Sequence, residues 1–241
     1  MSTATVNAAI SRYIDSQDAV YATCDAGAAL GVSGSGDTTL EQTSNSPVDN
    51  LKYILRPAYY LFDLFAAGLT SASIVTVATF SIVLEGFSNA TLNSTIEVAK
   101  YDFGASVDTG DWRTAAQLAA LTQVCDAKAF NIGATVNTRY SFTSVAAMLT
   151  EVANALAGDG KLRLMSFQQV QRQGTSTEFP DRRRTSFYST ASSGNEPQLD
   201  LTYTTPSGPA NLKSHDYNLT ANIRSIDGNL IANVKSVDTI V

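Results

Sequence analysis

The chain has 241 residues, of which 44% are hydrophobic and only 16% are charged, and its formal net charge is −6. This length and apolar fraction suit a single large all-β domain with a substantial core. The acidic balance argues against nucleic acid as the main partner, because binding to a duplex needs clustered positive charge. The weakly charged composition, rich in Ser, Thr, Asn and Ala, suits a protein that packs against neighbours.

The first fifty residues predict one or two opening strands. Residues 11–14 and 19–24 fit strands, and a Gly/Ser-rich turn follows at 31–37. The turn is not followed by Gly-Lys-Ser/Thr and a helix, so it does not match a phosphate-binding loop. A flexible surface connection is the better interpretation.

A group of strands follows in the centre of the chain. Pro57 predicts a bend or bulge, and residues 58–64 fit a strand that is buried on both sides. Residues 71–85 are rich in β-branched side chains and predict a long strand that Gly86 should end. Residues 95–101 place Ile96 and Val98 at alternate positions, as in a strand. Strands at short spacing with polar turns between them are typical of a sandwich or barrel.

Two helices interrupt the strands. The first is Ala-rich and should run from Asp111, a suitable capping residue, to about Val124. The second should span residues 143–156, with Thr143 as N-cap, an apolar stripe at helical spacing and Gly158 after its end. We expect both helices to plug the ends of a sandwich.

The segment 197–204 closes the predicted sandwich. Leu199, Leu201 and Tyr203 fall on one face of a strand, and polar residues fall on the other. This period-two pattern indicates a strand in a half-buried sheet.

After Thr205 the composition changes to a linker at 206–209 and a short internal repeat. Residues 221–227 recur as 232–238, offset by eleven residues. A segment of this size cannot bury a core alone, so we expect it to pack on its own sandwich, on a sister subunit or on a partner. A simple edge hairpin of the same domain is the alternative. The residues predicted to make the assembly contacts are Ile223, Arg224, Ile226, Val234, Lys235 and Val237.

The one basic concentration in the sequence is Arg182, Arg183 and Arg184. On a strand, the first and third would project to one side and the second to the other. The run therefore predicts either a solvated strand face or a docking patch for an acidic partner surface.

The sequence offers little catalytic chemistry. The single histidine, His215, lies beyond the linker, which argues against His-rich zinc sites and Ser-His-Asp mechanisms. Paired carboxylates could hydrolyse glycosides without histidine, but none stands in a recognisable catalytic setting. The candidates are Asp63, Glu85, Glu97, Asp102 and Asp111.

Asp25, Asp37 and Asp49 flank Gly-rich loops but do not form a calcium-binding pattern. We therefore expect no enzymatic activity and no cofactor.

Cysteines and aromatic residues each leave two interpretations open. Cys24 and Cys125 are too few for a disulfide framework and are expected to be small buried side chains, although the sequence does not say whether they pair. Four aromatic residues could form a sugar-stacking platform or could fill the core and the sheet edges. These four are Tyr13, Tyr21, Trp112 and Tyr188.

No stretch of the sequence predicts a transmembrane helix. The most apolar run, residues 73–84, is too short and is broken by hydroxyl side chains. The first residues lack the basic start and apolar stretch of a secretory signal. We expect a protein that is made in the cytoplasm and stays there or leaves without an export signal, as in a virus particle released by lysis.

Over roughly residues 10–205 the segments resemble, in order and spacing, the DNRLRE-type jelly-roll family. The matching segments are 60–64 (YLFDL), 71–85, Asp111-Trp112, 142–156, 162–167, and Phe187-Tyr188-Ser189 with 197–204. The resemblance implies a mainly β jelly-roll β-sandwich with two short helices over 1–205. The internal repeat after it predicts a C-terminal β-ribbon tail over 206–241. It also implies structural or adhesive work rather than catalysis.

The tail sequence Ala-Asn-Ile-Arg-Ser-Ile-Asp-Gly is similar to repeated endings of structural proteins of tailed phages. This similarity implies a virion protein that decorates or cements the capsid, as a trimer in contact with copies of itself and with the major capsid protein. A tail-tip or fibre module that binds host glycans is the alternative, and a phage-borne glycan hydrolase is a third. We expect neither nucleic acid nor a membrane as partner.

Overall fold

The computed structural model describes residues 1–27, 29–37, 39–46, 52–88, 94–131, 133–174, 183–206, 225–226 and 229–230. The chain divides into two compact units, Met1–Thr204 and Thr205–Val241. In the described part of the first unit, antiparallel strands predominate and the helices are few and short. In the second unit, Ser225–Ile226 pairs antiparallel with Asn229–Leu230.

The described part of the first unit contains thirteen strands and four α-helices. The strands are β1 Ser2–Asn7, β2 Ile10–Asp18, β3 Gly31–Val32, β4 Thr39–Ser46, β5 Lys52–Leu55, β6 Ala58–Asp63, β7 Ile74–Ser88, β8 Ser94–Lys100, β9 Lys128–Phe130, β10 Thr138–Ser141, β11 Lys161–Gln168, β12 Arg183–Tyr188 and β13 Gln198–Thr204. The helices are α1 Tyr21–Asp25, α2 Ala115–Ala119, α3 Ala146–Ala157 and α4 Gln169–Arg172, with a 3-10 turn at Thr109–Asp111.

Two antiparallel sheets share strand β2. The first sheet has the order β1-β13-β7-β12-β4-β5-β2, with β10 also pairing with β7. The second has the order β2-β6-β11-β8-β9. Strand β2 pairs with β6 through residues 10–13 and with β5 through residues 16–18.

Pro57 separates the two strands that face β2. Strand β5 ends at Leu55 and β6 begins at Ala58, so the chain breaks at the predicted place. Proline has no N–H for a ladder, but its carbonyl accepts a hydrogen bond from the Ile14 N–H at 3.2 Å. The residues before Pro57 therefore belong to the first sheet as β5, and those after it belong to the second sheet as β6. The chain passes from one sheet to the other here, as it does within β2.

The inner core lies between the two sheets. The Phe80 ring of β7 packs against Tyr60 and Phe62 of β6, with centroid distances of 5.1 and 6.1 Å. Leu199 and Leu201 are buried in this core and Tyr203 packs partly against it, which confirms the predicted inward face of β13. The mainly β prediction is also confirmed: the two antiparallel sheets enclose a common core, as in a β-sandwich.

An outer core covers the other face of the second sheet. Tyr59 and Leu61 of β6 and Phe167 of β11 are buried there together with Trp112 and Leu118. Strand β6 is therefore buried on both faces, as its continuous apolar sequence predicts.

Of the two predicted plugs, only α3 joins the sheets. It contacts both β7 and β11 and buries Met148, Val152 and Leu156 in the inner core. Helix α2 instead contributes Leu118 to the outer core, so its prediction as a plug is wrong.

The first predicted helix is much shorter than the sequence suggested. Asp108, not Asp111, caps the 3-10 turn, and Thr114 caps α2 through a reciprocal pair with Gln117. The prediction of a helix to Val124 is wrong because the backbone beyond α2 bonds to β8. The Lys100 N–H donates to the Thr122 carbonyl at 2.9 Å, and the Val124 N–H donates to the Val98 carbonyl at 3.0 Å.

The second predicted helix begins three residues late for a similar reason. Thr143 is not its N-cap, since its carbonyl accepts a hydrogen bond from the Asp126 N–H at 2.8 Å. Ser144 forms a bridge with Cys125, and α3 starts only at Ala146. The end of the helix is as predicted, with Gly158 at the C-cap.

Two strand predictions also need correction. Residues 21–25 form α1 instead of a strand, with Cys24 buried and its carbonyl accepting a hydrogen bond from Ser16 Oγ at 2.6 Å. Strand β7 does not stop at Gly86 but continues to Ser88. Gly86 pairs with Ser186, and a register shift between Ser186 and Phe187 leaves Glu85 of β7 without an opposite residue. Across the described residues, no helix has the length and apolarity needed to cross a membrane.

Candidate functional site: a groove along an open strand edge

Strand β7 is longer than the strands that pair with it. On one side β13 covers residues 74–81 and β12 covers residues 84–88. On the other side β10 covers residues 81–84. Within the described residues, the stretch 74–80 of β7 therefore has no strand partner on that second side, and we call this stretch the open edge.

Backbone polar groups of β7 point out of this edge. The carbonyl of Phe80 accepts a hydrogen bond from the Phe142 N–H at 2.9 Å, and the carbonyl of Ala78 accepts one from Ser144 Oγ at 2.5 Å. Because the N–H and C=O of one strand residue face the same way, the Ala78 N–H also points out of the edge. In the part of the chain that the structure describes, nothing accepts a hydrogen bond from it.

A groove of about 440 Å³ runs beside the open edge. Residues 76–79 of β7 form one wall, and residues 141–146 together with Leu149 form the other. We call it the edge groove. Its lining includes the buried side chains of Ala78 and Phe142 and the hydroxyl groups of Thr and Ser, but no titratable side chain.

The open edge also carries exposed apolar side chains. Ile74 is 57% exposed and Val77 is 51% exposed. Neither a charged residue nor a proline lies between residues 74 and 80, although both are common devices for protecting strand edges.

This arrangement is suited to binding an extended backbone. At residues 74–77, before the part of β7 that Phe142 and Ser144 bind, an added segment would find backbone groups that no described strand pairs on this side. Apolar and hydroxyl-bearing positions of the groove lie beside them. The lining residues supply no side chain that could act as general acid, general base or metal ligand. The chemistry of the edge groove is therefore that of binding.

Most of the predicted tail contacts lie outside the described residues. These are Ile223, Arg224, Val234, Lys235 and Val237. Ile226 lies in the short ladder of the second unit, opposite Asn229.

The predicted basic patch is described only in part. Arg182 lies outside the described residues. The backbones of Arg183 and Arg184 belong to β12, in register with Ser44 and Thr43 of β4.

Four of the candidate catalytic carboxylates are each held by separate local partners. Asp63 accepts a hydrogen bond from the Ala66 N–H at 2.9 Å, and Asp102 accepts one from the Gly104 N–H at 3.0 Å. Asp111 accepts hydrogen bonds from the Asp108 N–H and the Tyr101 hydroxyl. Glu97 is buried and lies 2.5 Å from Arg172 Nε. The remaining candidate, Glu85, is half-buried in β7.

The predicted loop aspartates also serve local structure. Asp25 accepts a hydrogen bond from the Ala115 N–H, and burial raises the pKa of its carboxyl group. Asp37 accepts one from the Gly34 N–H, whereas Asp49 lies outside the described residues. Among the described residues, no three His, Cys, Asp or Glu side chains are grouped to hold a metal ion.

The two cysteines are free and buried. Cys24 belongs to the outer core and Cys125 to the inner core, so the question of a disulfide between them is answered: they do not pair.

The four aromatic residues considered as a sugar platform do not form one. Trp112 is only 7% exposed and its indole N–H donates to the Asp25 carbonyl at 2.9 Å. Tyr21 packs against the outer core, whereas Tyr13 packs against the inner core. The Tyr188 hydroxyl donates to Asn137 Oδ1.

Sequence reasoning did not identify the edge groove. The missed signal was a mismatch in length, since β7 has fifteen residues and its partners β13, β12 and β10 have seven, six and four. Such a long strand between short ones leaves part of an edge uncovered. No protein-family model matches the chain, and no curated protein matches it significantly.

Proposed function

We propose that this protein is a non-enzymatic structural subunit of a phage particle. In this proposal its sandwich is a jelly roll that decorates the capsid, as a trimer, and stabilises the shell through contacts with its own copies and with the major capsid protein. The tail from residue 206 makes or reinforces those contacts.

The observation that carries this proposal is the edge groove. It combines an unpaired strand edge, exposed apolar side chains and a lining without titratable groups. Such a surface favours association with another polypeptide over catalysis.

Burial of surface between subunits would stabilise the shell by mass action. Any partner that binds only the folded, assembled state shifts the equilibrium towards that state. The low fraction of charged residues agrees with this role, because the cores of protein interfaces are depleted of charge.

The first test is the oligomeric state of the full-length protein. We expect a trimer in sedimentation equilibrium experiments, and we expect Val234→Asp with Val237→Asp to weaken association at least tenfold, which is about 1.4 kcal/mol. Ser207→Asp with Ser214→Asp is the matched control, because it adds the same charge to the tail outside the repeat. A protein that stays monomeric at all concentrations would contradict the proposal.

The second test is the location of the protein. Gold-labelled antibody and mass spectrometry should find it on purified virions, at a regular copy number relative to the major capsid protein. Its absence from virions, or turnover of a glycan by the purified protein, would overturn the proposed function.

A further inference from the structure

We infer that the buried side-chain amides of Gln171 and Gln123 are binding sites for internal water molecules. These waters hold two short segments, α4 and the chain that follows α2, against strand β8 of the second sheet. The inference is independent of the proposed function and concerns the interior of a single subunit.

Helix α4 packs against the rest of the protein although three of its four side chains are polar. Its sequence is Gln169, Val170, Gln171 and Arg172, and it contacts β8, β11 and α2. A helix that buries polar side chains needs polar partners for them, because an unpaired buried donor or acceptor costs free energy. Gln169 and Arg172 find their partner in Glu97 of β8.

Gln171 is the polar side chain of α4 that the protein itself does not pair. It is 0% exposed, and within the described residues neither its amide oxygen nor its amide nitrogen has a hydrogen-bond partner. An amide group offers two N–H donors and an oxygen that can accept two hydrogen bonds. Buried polar groups in folded proteins are paired with protein or with ordered water, so another molecule must supply the partners here.

Gln123 shows the same feature independently. Both of its amide atoms are buried, and in the part of the chain that the structure describes neither has a partner. Its backbone forms an antiparallel bridge with Ala99 of β8. Ala99 and Glu97 lie on the same face of β8, so the Gln123 side chain lies on the face that α4 reaches through Glu97. The two unpaired amides therefore belong to segments that pack on the same strand.

Water is the ligand that fits these amides. The complete burial of Gln171 excludes a side chain of another protein as its partner, because such a group could not reach it in the folded state. A neutral amide presents donors and an acceptor together, and water also offers both, whereas an ion would leave half of the amide unpaired. Internal waters occur at about one per 27 residues in globular proteins, each usually with about three hydrogen bonds.

Contacts between water and the amides in the unchanged full-length protein provide the direct test. In nuclear magnetic resonance spectra of isotope-labelled protein, the Nε2 hydrogens of Gln171 and Gln123 should show Overhauser effects to water with the sign of bound water. Gln173 is the internal control, because it is exposed and should show only the contacts of bulk water. Amide hydrogens of Gln171 and Gln123 without contacts to bound water would overturn the inference.

The variant Gln171→Met distinguishes an amide that binds water from an amide that is simply unpaired. Methionine has a similar length and shape but no amide. If water pairs the amide, the substitution removes hydrogen bonds and should raise the unfolding equilibrium constant about tenfold in urea experiments. If the amide is unpaired, the substitution removes a buried polar group that opposes folding, so the protein should become more stable.

Gln173→Met is the matched control for this substitution. Gln173 is the exposed residue directly after α4, so the same change there should leave stability nearly unchanged. Gln123→Met should destabilise the protein in the same way as Gln171→Met. Increased stability of either variant would overturn the inference, and if a variant does not fold, the measurement on the unchanged protein decides. None of these results depends on self-association or on virions, so their failure would leave the proposed function intact.

Discussion

Several buried side chains are held in their neutral form. Burial raises the pKa of the Cys24 thiol to about 11 and that of the Cys125 thiol to about 12. Burial is also the main reason that the pKa of Tyr101 rises to about 12, although Arg113, stacked over its ring at 4.5 Å, opposes this shift. Because the folded state holds these protons more tightly than the unfolded state does, the free energy of unfolding falls at alkaline pH.

The Cys24 thiol should make the protein less stable as the pH rises from about 9 to about 11. In that interval the unfolded thiol, with an ordinary pKa of 9.0, has lost its proton while the folded thiol keeps it. The free energy of unfolding therefore falls with pH. Cys24→Ala should reduce this slope by up to about 1.4 kcal/mol per pH unit, measured by urea unfolding at several pH values.

A suitable control for Cys24→Ala is Val152→Ala. Val152 is fully buried in α3, so its truncation lowers stability but removes no titratable group. The control should shift the whole stability curve without changing its slope. An equal alkaline slope in Cys24→Ala and the parent protein would contradict the assignment.

Short elements in this protein depend on contacts with other elements. Helix α4 has four residues, far fewer than an isolated helix needs for stability. It is held against β8 by Glu97, which lies 2.5 Å from Arg172 Nε and accepts a hydrogen bond from Gln169 Nε2 at 3.0 Å. The side chain of Glu97 is only 5% exposed.

Arg172→Ala should destabilise the protein strongly. It would leave the Glu97 carboxylate buried without its charge partner, which costs about 3 kcal/mol. Asp159→Asn, which breaks the exposed pair with Arg163, should cost less than about 1 kcal/mol. Urea unfolding of both variants at pH 7 measures the difference, and equal losses would refute the structural role of the buried pair.

The two cores of the first unit lie on opposite faces of the second sheet. Tyr60 and Phe62 of β6 enter the inner core, while Tyr59 and Leu61 enter the outer core. Because the two cores share this sheet, loss of one should expose a face of the layer that supports the other. We expect them to unfold together.

The single tryptophan permits a direct test of this cooperativity. Phe80→Ala removes a fully buried ring from the inner core and should cost about 3–5 kcal/mol. Trp112 lies in the outer core, yet its fluorescence should show the same lowered denaturation midpoint as the far-ultraviolet circular dichroism. Val20→Ala, at an exposed position, should leave both midpoints nearly unchanged.

Different midpoints for the two probes in Phe80→Ala would show that the outer core unfolds separately. Such a result would assign the helices and loops over the second sheet to an independent folding unit.

Local sequence patterns by themselves determined several of the strands. The alternation in 197–204, the continuous apolar run at 58–64 and the break at Pro57 all appear in the structure where the sequence predicts them. These features depend on side-chain periodicity and on the missing proline N–H, both of which are properties of neighbouring residues. The end of α3 at Gly158 is local in the same sense.

Tertiary structure alone decided where α2 ends, where α3 begins and where an edge stays open. Residues 122–124 leave a helical pattern because β8 supplies their backbone partners, and residues 143–145 remain extended because they pair with 124–126. The open edge exists because β10 covers only residues 81–84 on that side of β7. In each case the deciding hydrogen-bond partner comes from another segment of the chain, so periodicity within one segment could not reveal it.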